Sequence, residues 1–325
     1  MQNSFTKMLG IQYPIIMAPM FLVSNTSMVL AALESGITAA FPALNYRTDK
    51  ELREAITEIK SKTNKSFGVN LIVNKSNFKY NAQLQTCLDL NIPFIITSLG
   101  NPKEVIEKAK TKGIKVFCDV TDLKYALKVE ALGADGVIAV NSKAGGHAGN
   151  IEARELIPLL KNHLKIPIIS AGGIATGQQL QEVLTMGAEA ASIGTIFIAS
   201  EEAPVSEEYK KALIQYGAQD IVRTTKLSGS ALTVINTPYV QQMGTKAGFI
   251  ERLMLKHKWL KKYAKLFLAI QGMKTIEKAA FSVTYKNVWC AGPTIEYIHS
   301  IRPLKEICAT LIKEYEAATL EQKTS

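Results

Sequence analysis

The chain has 325 residues, 47% of them hydrophobic, and a formal net charge of +10. That length buries a substantial core in one large domain or two, and the apolar fraction excludes a disordered chain. No apolar run approaches the roughly 20 residues of a membrane span, and the N-terminus MQNSFTKMLG lacks the apolar segment of a secretory signal, so a cytoplasmic protein is expected.

Short runs rich in Val and Ile predict strands at Tyr13–Ala18, Ile37–Pro42, Ser66–Ile72, Pro93–Ser98, Lys115–Cys118, Gly136–Val140, Pro167–Ala171 and Ala190–Gly194. Helical spacing predicts Asn25–Ser35, Asp49–Lys62, Asn77–Asn91, Pro102–Lys112, Leu123–Leu132, Glu152–His163 and Thr176–Met186 between them. Strand alternating with helix argues for βαβ units and a parallel sheet, and eight such units fit a (β/α)8 TIM barrel. An open doubly wound sheet would more often place G-x-G-x-x-G after the first strand, where this chain has Ala18-Pro19-Met20.

After Ser200 the pattern changes. Ser206–Tyr216 reads as a helix, and Arg223–Val240 carries turn signals with Pro238 among them. Residues 249–270 then read as a long basic amphipathic helix. Ile250, Leu253, Met254, His257, Leu260, Ala264 and Phe267 form its apolar stripe, and Arg252, Lys256, Lys258, Lys262 and Lys265 lie mainly elsewhere. We therefore expect a smaller, mainly helical cap at 223–285 and a barrel at 1–222 completed by 286–325. Helices are expected near Thr294–Ser300 and Leu304–Tyr315, with the tail from Ala317 frayed.

Much of the positive charge lies between Lys246 and Lys265, so net charge alone does not assign nucleic acid or a membrane surface as partner, and neither is expected. A homodimer is compatible with the sequence. The four cysteines are widely spaced without a C-x-x-C pair, which suggests neither a disulfide framework nor a metal site. They read as small buried apolar residues, with Cys118 the one to watch because it ends a predicted strand.

In a parallel barrel the ligand binds at the carboxyl ends of the strands. Three predicted strands end in small-residue turns: Gly145-Gly146-His147, Ala171-Gly172-Gly173 and Gly194-Thr195. Backbone N–H groups approach a phosphate closely only where no Cβ intervenes, and a following helix adds partial positive charge. One such turn alone is a tight connection; two on neighbouring strands make a phosphate cradle. His147 lies among Gly145, Gly146 and Gly149, and imidazole titrates nearest neutrality, which suits it to act as base, acid or donor. Other strands end at Gly68-Val69-Asn70, Thr97-Ser98 and Cys118-Asp119. Small residues there admit a flat ring, and an amide such as Asn70 can hydrogen-bond its edge.

Taken together and in this order, APM, GVN, AGGHAG, SAGGIATG and IGT resemble the nitronate monooxygenase family, formerly the 2-nitropropane dioxygenases. The same motifs are similar to those of its sister group, the flavin-dependent enoyl-acyl-carrier-protein reductases. The resemblance spans most of the chain. It implies an FMN-binding TIM barrel with His147 beside the flavin, and contacts from Ala18, Pro19, Met20 and Asn70. The phosphate cradle would be Gly172, Gly173, Gly194 and Thr195, with Gly145, Gly146 and Ala171 as further cofactor contacts. It implies oxidation of alkyl nitronates by O2, or alternatively reduction of an enoyl thioester by NAD(P)H. One departure stands out. Relatives usually carry an acid four places before the histidine, and this chain has Lys143, which makes the local charge more positive.

Overall fold

The computed structural model describes residues 3–74, 77–225, 231–245 and 288–324. Eight parallel strands close into a barrel: β1 (Ile15–Met17), β2 (Thr38–Pro42), β3 (Gly68–Ile72), β4 (Phe94–Ser98), β5 (Lys115–Val120), β6 (Gly136–Val140), β8 (Ile168–Ala171) and β9 (Ala190–Ile193). The circle closes where Ile15–Met17 pairs with Ala191–Ile193. Between them run α2 (Thr26–Glu34), α3 (Asp49–Lys62), α4 (Tyr80–Asp89), α5 (Lys103–Lys110), α6 (Leu123–Ala131), α7 (Ala153–Lys161) and α8 (Gly177–Thr185). The chain is a (β/α)8 barrel, as the alternation of elements predicts. Side-chain oxygens of Asn25, Thr48, Asp122 and Thr176 cap four of these helices by accepting backbone N–H groups.

Alternate residues point into the barrel. Ile16, Ala40, Phe94, Ile96, Phe117, Ile138, Ile169 and Ala190 form the inner cluster. Gly68 is part of that fit, because a Cβ there would stand 2.1 Å from the Phe94 ring. An additional helix, α1 (Ser4–Leu9), supplies Phe5 and Leu9 to this cluster, with the Phe5 ring 5.6 Å from that of Phe117. No strong periodicity marks so short a helix, yet burying Phe5 there is worth roughly 1.5–3 kcal/mol. It closes the end of the barrel opposite the strand ends.

The C-terminal part departs from expectation in three places. The frayed tail is corrected: α12 (Leu304–Thr324) continues through it. Its polar composition hides a close helix crossing, in which a Cβ on Gly177 would stand 1.9 Å from the Tyr315 backbone nitrogen. Buried Tyr315 and Thr319 hold the last turns against the body of the barrel. The second correction concerns Arg223–Val240. Beyond α9 (Thr195–Ile198) and α10 (Glu207–Gln215), the chain forms β10 (Ile221–Thr224), β11 (Leu232–Ile235) and α11 (Pro238–Met243). The two strands pair antiparallel, and β11 also pairs with β7 (Gly146–His147), making a three-stranded sheet. Leu232, Val234, Val240 and Val288 give that sheet its own apolar cluster. The expected basic helix at 249–270 lies outside the described residues, as does most of the expected cap. The expected helix after residue 293 is a short 3-10 turn, Pro293–Tyr297.

Candidate functional site

The strand ends form a mouth with two sides. On one side, the loop after β1 is braced by hydrogen bonds. The Asn45 side chain accepts from Leu22 N–H at 2.8 Å and donates to Ser24 O at 2.8 Å. The Ser24 hydroxyl accepts from Met20 N–H at 2.9 Å and donates to Ala18 O at 3.1 Å. Leu22 is thereby held at φ 58, a left-handed conformation that L-residues seldom adopt. Ala18-Pro19-Met20 is therefore a rigid wall. It stands beside Gly194, whose added Cβ would lie 3.5 Å from Met20 Sδ and 3.6 Å from Ala18 Cβ.

The glycine turns meet next to this wall. Gly172 and Gly173 take φ values of 109 and 75, which a side chain would strain. Asn141 ties their turn to the loop after β6: its Nδ2 donates to Gly172 O at 2.8 Å, and its Oδ1 accepts from Lys143 N–H at 2.8 Å. The Lys143 stem lies over Gly173, where a Cβ would be 3.2 Å from it. Gly145 faces a partner from far along the chain. A Cβ there would stand 2.9 Å from Gly292 N and 3.2 Å from Thr195 Oγ1. Thr195 Oγ1 accepts from Gly292 N–H at 3.0 Å, leaving its own hydroxyl hydrogen to be donated. Gly145, Gly172, Gly173, Gly194, Thr195 and Gly292 thus gather at one side of the mouth, with Gly145 exposed and Gly292 and Thr195 buried; at Gly172 and Gly145 the space a Cβ would take is already filled by Ala144, Asn141 and Gly292.

His147 stands in β7, two residues after Gly145. Its backbone pairs with Leu232, so it belongs both to a barrel loop and to the small sheet. Arg223 on β10 fixes the loop beyond it, donating from Nη2 to Ala148 O at 3.1 Å and Gly149 O at 2.7 Å. The imidazole reaches solvent, while protein crowds it from its other sides; this desolvation lowers its pKa below the ordinary value. That shift favours the neutral imidazole, the form able to take a proton.

Across the mouth, Asn70 is buried. Its Nδ2 donates to Ser98 Oγ at 2.7 Å and Ile96 O at 3.3 Å. Ser98 in turn donates to the carboxylate of Asp119 at 2.5 Å. Burial raises the Asp119 pKa to about 6. Cys118, on the same strand, is buried and its thiol is pushed up to about 12, so it is no nucleophile.

Sequence reasoning missed Asn45, Ser24, Asn141, Arg223 and Gly292. Asn and Ser are ordinary turn residues, and only the fold shows which backbone groups they hold. Gly292 had a signal, the AGP at residues 291–293, but nothing local tied it to Gly145. Among the described residues there is no cluster suited to a metal ion, and no helix is long and apolar enough to cross a membrane.

A sequence model of the nitronate monooxygenase family matches residues 76–314. The chain belongs to the nitronate monooxygenase family. It is 28% identical over 277 residues to a (3aS,4S,5R,7aS)-5-hydroxy-7a-methyl-1-oxo-octahydro-1H-indene-4-carboxyl-CoA dehydrogenase of Rhodococcus jostii RHA1, covering 84% of this chain and 75% of that one. It is 27% identical over 293 residues to a probable nitronate monooxygenase of Staphylococcus aureus, covering 77% and 82% respectively. The structure of FabK from Thermotoga maritima superposes with a TM-score of 0.86 at 27% identity, over 100% of this chain and 99% of that one. As a member of the nitronate monooxygenase family the chain is an oxidoreductase, and the sequence resemblance is borne out at that level.

Proposed function

We propose that the chain is an FMN-dependent oxidoreductase that oxidises alkyl nitronates with molecular oxygen, giving a carbonyl compound and nitrite. The observation that carries this reading is an exposed His147 in the loop after β6, at the same strand ends as the glycine turns after β8 and β9. The residues present fit a flavin mononucleotide. The turns Gly172-Gly173 and Gly194-Thr195 end neighbouring strands, and the left-handed φ values at Gly172 and Gly173 leave backbone without a Cβ where a single phosphate would approach. The sequence has no second glycine fingerprint for a pyrophosphate. Ala18 and Ala171 give a flat surface for a ring, and Asn70, its Nδ2 committed to Ser98, offers its carbonyl oxygen to a ring N–H.

A bound flavin supplies the electron chemistry. The chain's own work is to hold, orient and move a proton. His147 accepts the carbon-bound proton of a neutral nitroalkane, or, already protonated, donates to a nitro oxygen. Lys143, exposed at the rim, favours an anionic substrate. The small sheet of β7, β10 and β11 keeps the His147 backbone in register.

A second reading has its own support. By its name the Rhodococcus relative acts on a CoA derivative, and that alignment covers 84% of this chain. In this reading, reduction of an enoyl thioester, His147 would exchange a proton with a carbon near the thioester carbonyl and NAD(P)H would supply the electrons; the relative, by name a dehydrogenase, supports the thioester class of substrate and not the direction of electron flow. Anaerobic mixing separates the two. Bleaching of the flavin by a nitronate, with no response to NADH or NADPH, is the expected result. Rapid bleaching by either nucleotide and none by nitronates would overturn the first reading in favour of the second.

A further inference from the structure

The inner wall of the barrel continues upward from its apolar cluster. By alternation, the next inward positions after Ile16, Gly68, Ile96, Phe117, Ile138 and Ile169 are Ala18, Asn70, Ser98, Asp119, Val140 and Ala171. This is the floor of the mouth, and Val140 and Ala171 pack on the inner cluster beneath it. Five of the six are neutral. The sixth, Asp119, is a carboxylic acid partly open toward the mouth, joined to Asn70 through one hydroxyl. Nothing in the proposed proton transfer by His147 uses it.

We propose that Asp119 is a proton-holding residue of the flavin site, coupled to Asn70 through Ser98, and that it takes up a proton when the flavin is reduced. The proposal rests on the flavin reading above. A flavin held at this mouth would take up two electrons and one proton on reduction and so gain one net negative charge. A carboxylate near it would be disfavoured by that like charge. A second proton, from water, therefore binds the Asp119 carboxylate, and the pair of electrons is matched by two protons instead of one.

The surroundings permit this. Desolvation has already brought the Asp119 pKa to about 6, and the Ser98 hydroxyl opposes the rise by donating to the charged form. A further rise on reduction places the uptake just above pH 6, where the oxidised enzyme has released the proton and the reduced enzyme keeps it. The residues packed against Asp119 do not compete for it, and His147 at the same mouth, its pKa lowered by desolvation, is unchanged in Asp119→Asn and so is separated by that variant. Strand β4 presents Ser98 and Thr97, and β6 presents Val140, none of them titratable in this range. Cys118 on the same strand and Tyr125 on α6 both feel Asp119, and burial is the main cause holding each in its neutral, protonated form.

The test is a spectroscopic redox titration of the flavin-loaded protein from pH 5.5 to 8.5, with dithionite as reductant. Wild type should show a region above about pH 6 where the slope of midpoint potential against pH is twice that at higher pH. Asp119→Asn should lose the carboxyl's share of the steep region, so that its single-proton slope begins at lower pH than in wild type. Ser98→Ala keeps the carboxyl and removes its donor, so its steep region should persist and move to higher pH; this variant serves where Asp119→Asn does not fold. An identical slope in wild type and Asp119→Asn would overturn the proposal while leaving the flavin reading intact. A protein that binds no flavin would overturn both.

Discussion

His147→Ala retains its flavin and loses turnover on neutral nitroalkanes by roughly 10²–10⁴-fold, the usual range for a general base. Retention follows because the proposed phosphate contacts come from other residues, Gly172, Gly173, Gly194 and Thr195. The loss follows because a neutral nitroalkane must give up a carbon-bound proton first, and a pre-formed nitronate has already done so. Steady-state kinetics with both forms therefore separates the roles. The variant should be crippled on the neutral form and much less affected on the anion. Equal losses on both would make His147 a binding group, and no loss on either would remove it from the chemistry.

The pH profile carries the same argument. Desolvation lowers the His147 pKa, so its neutral form persists to lower pH than an ordinary imidazole's, near 6.5. Activity on neutral nitroalkanes should be flat through neutrality and fall only below that ordinary range.

Gly173→Asp should weaken FMN binding by roughly 10–10³-fold while the barrel stays folded. A like charge about 4 Å from the phosphate costs on the order of 1 kcal/mol in water and about 4 kcal/mol at the effective dielectric of a protein surface. Shape contributes less. The position has φ 75, which Asp tolerates better than most residues, and the Lys143 stem 3.2 Å from the new Cβ is flexible. Two controls isolate the charge. Gly173→Asn has the same outline without it and should bind FMN far more tightly than the aspartate variant. Riboflavin lacks the phosphate and should bind wild type and Gly173→Asp alike. Fluorescence titration measures all of these, and undiminished FMN affinity in Gly173→Asp would show that this turn is only a connection.

The barrel was legible because its signal is local. Each strand is a short apolar run, and each inter-strand helix carries its own periodicity. Most predicted ends fall within a few residues of the observed ones, and Gly136–Val140 coincides. What was hidden depends on partners distant in sequence. Strand β5 was expected to stop at Cys118, because Asp119 interrupts the apolar run. It continues to Val120, since the carboxyl finds a donor in Ser98, 21 residues earlier. The β10–β11 hairpin was masked by the polar residues and Pro238 around it. Its pairing partner is Gly146–His147, which reads as a loop by composition. The site followed the same rule. Glycine turns and the histidine announce themselves; the asparagines that brace them do not.

The cofactor tests the account most directly. Purified protein should be yellow, and heat or acid should release one chromophore that co-elutes with FMN in chromatography, at about one per chain. The release of FAD, or the absence of any bound flavin after reconstitution with FMN, would contradict the assignment of the paired glycine turns to a single phosphate.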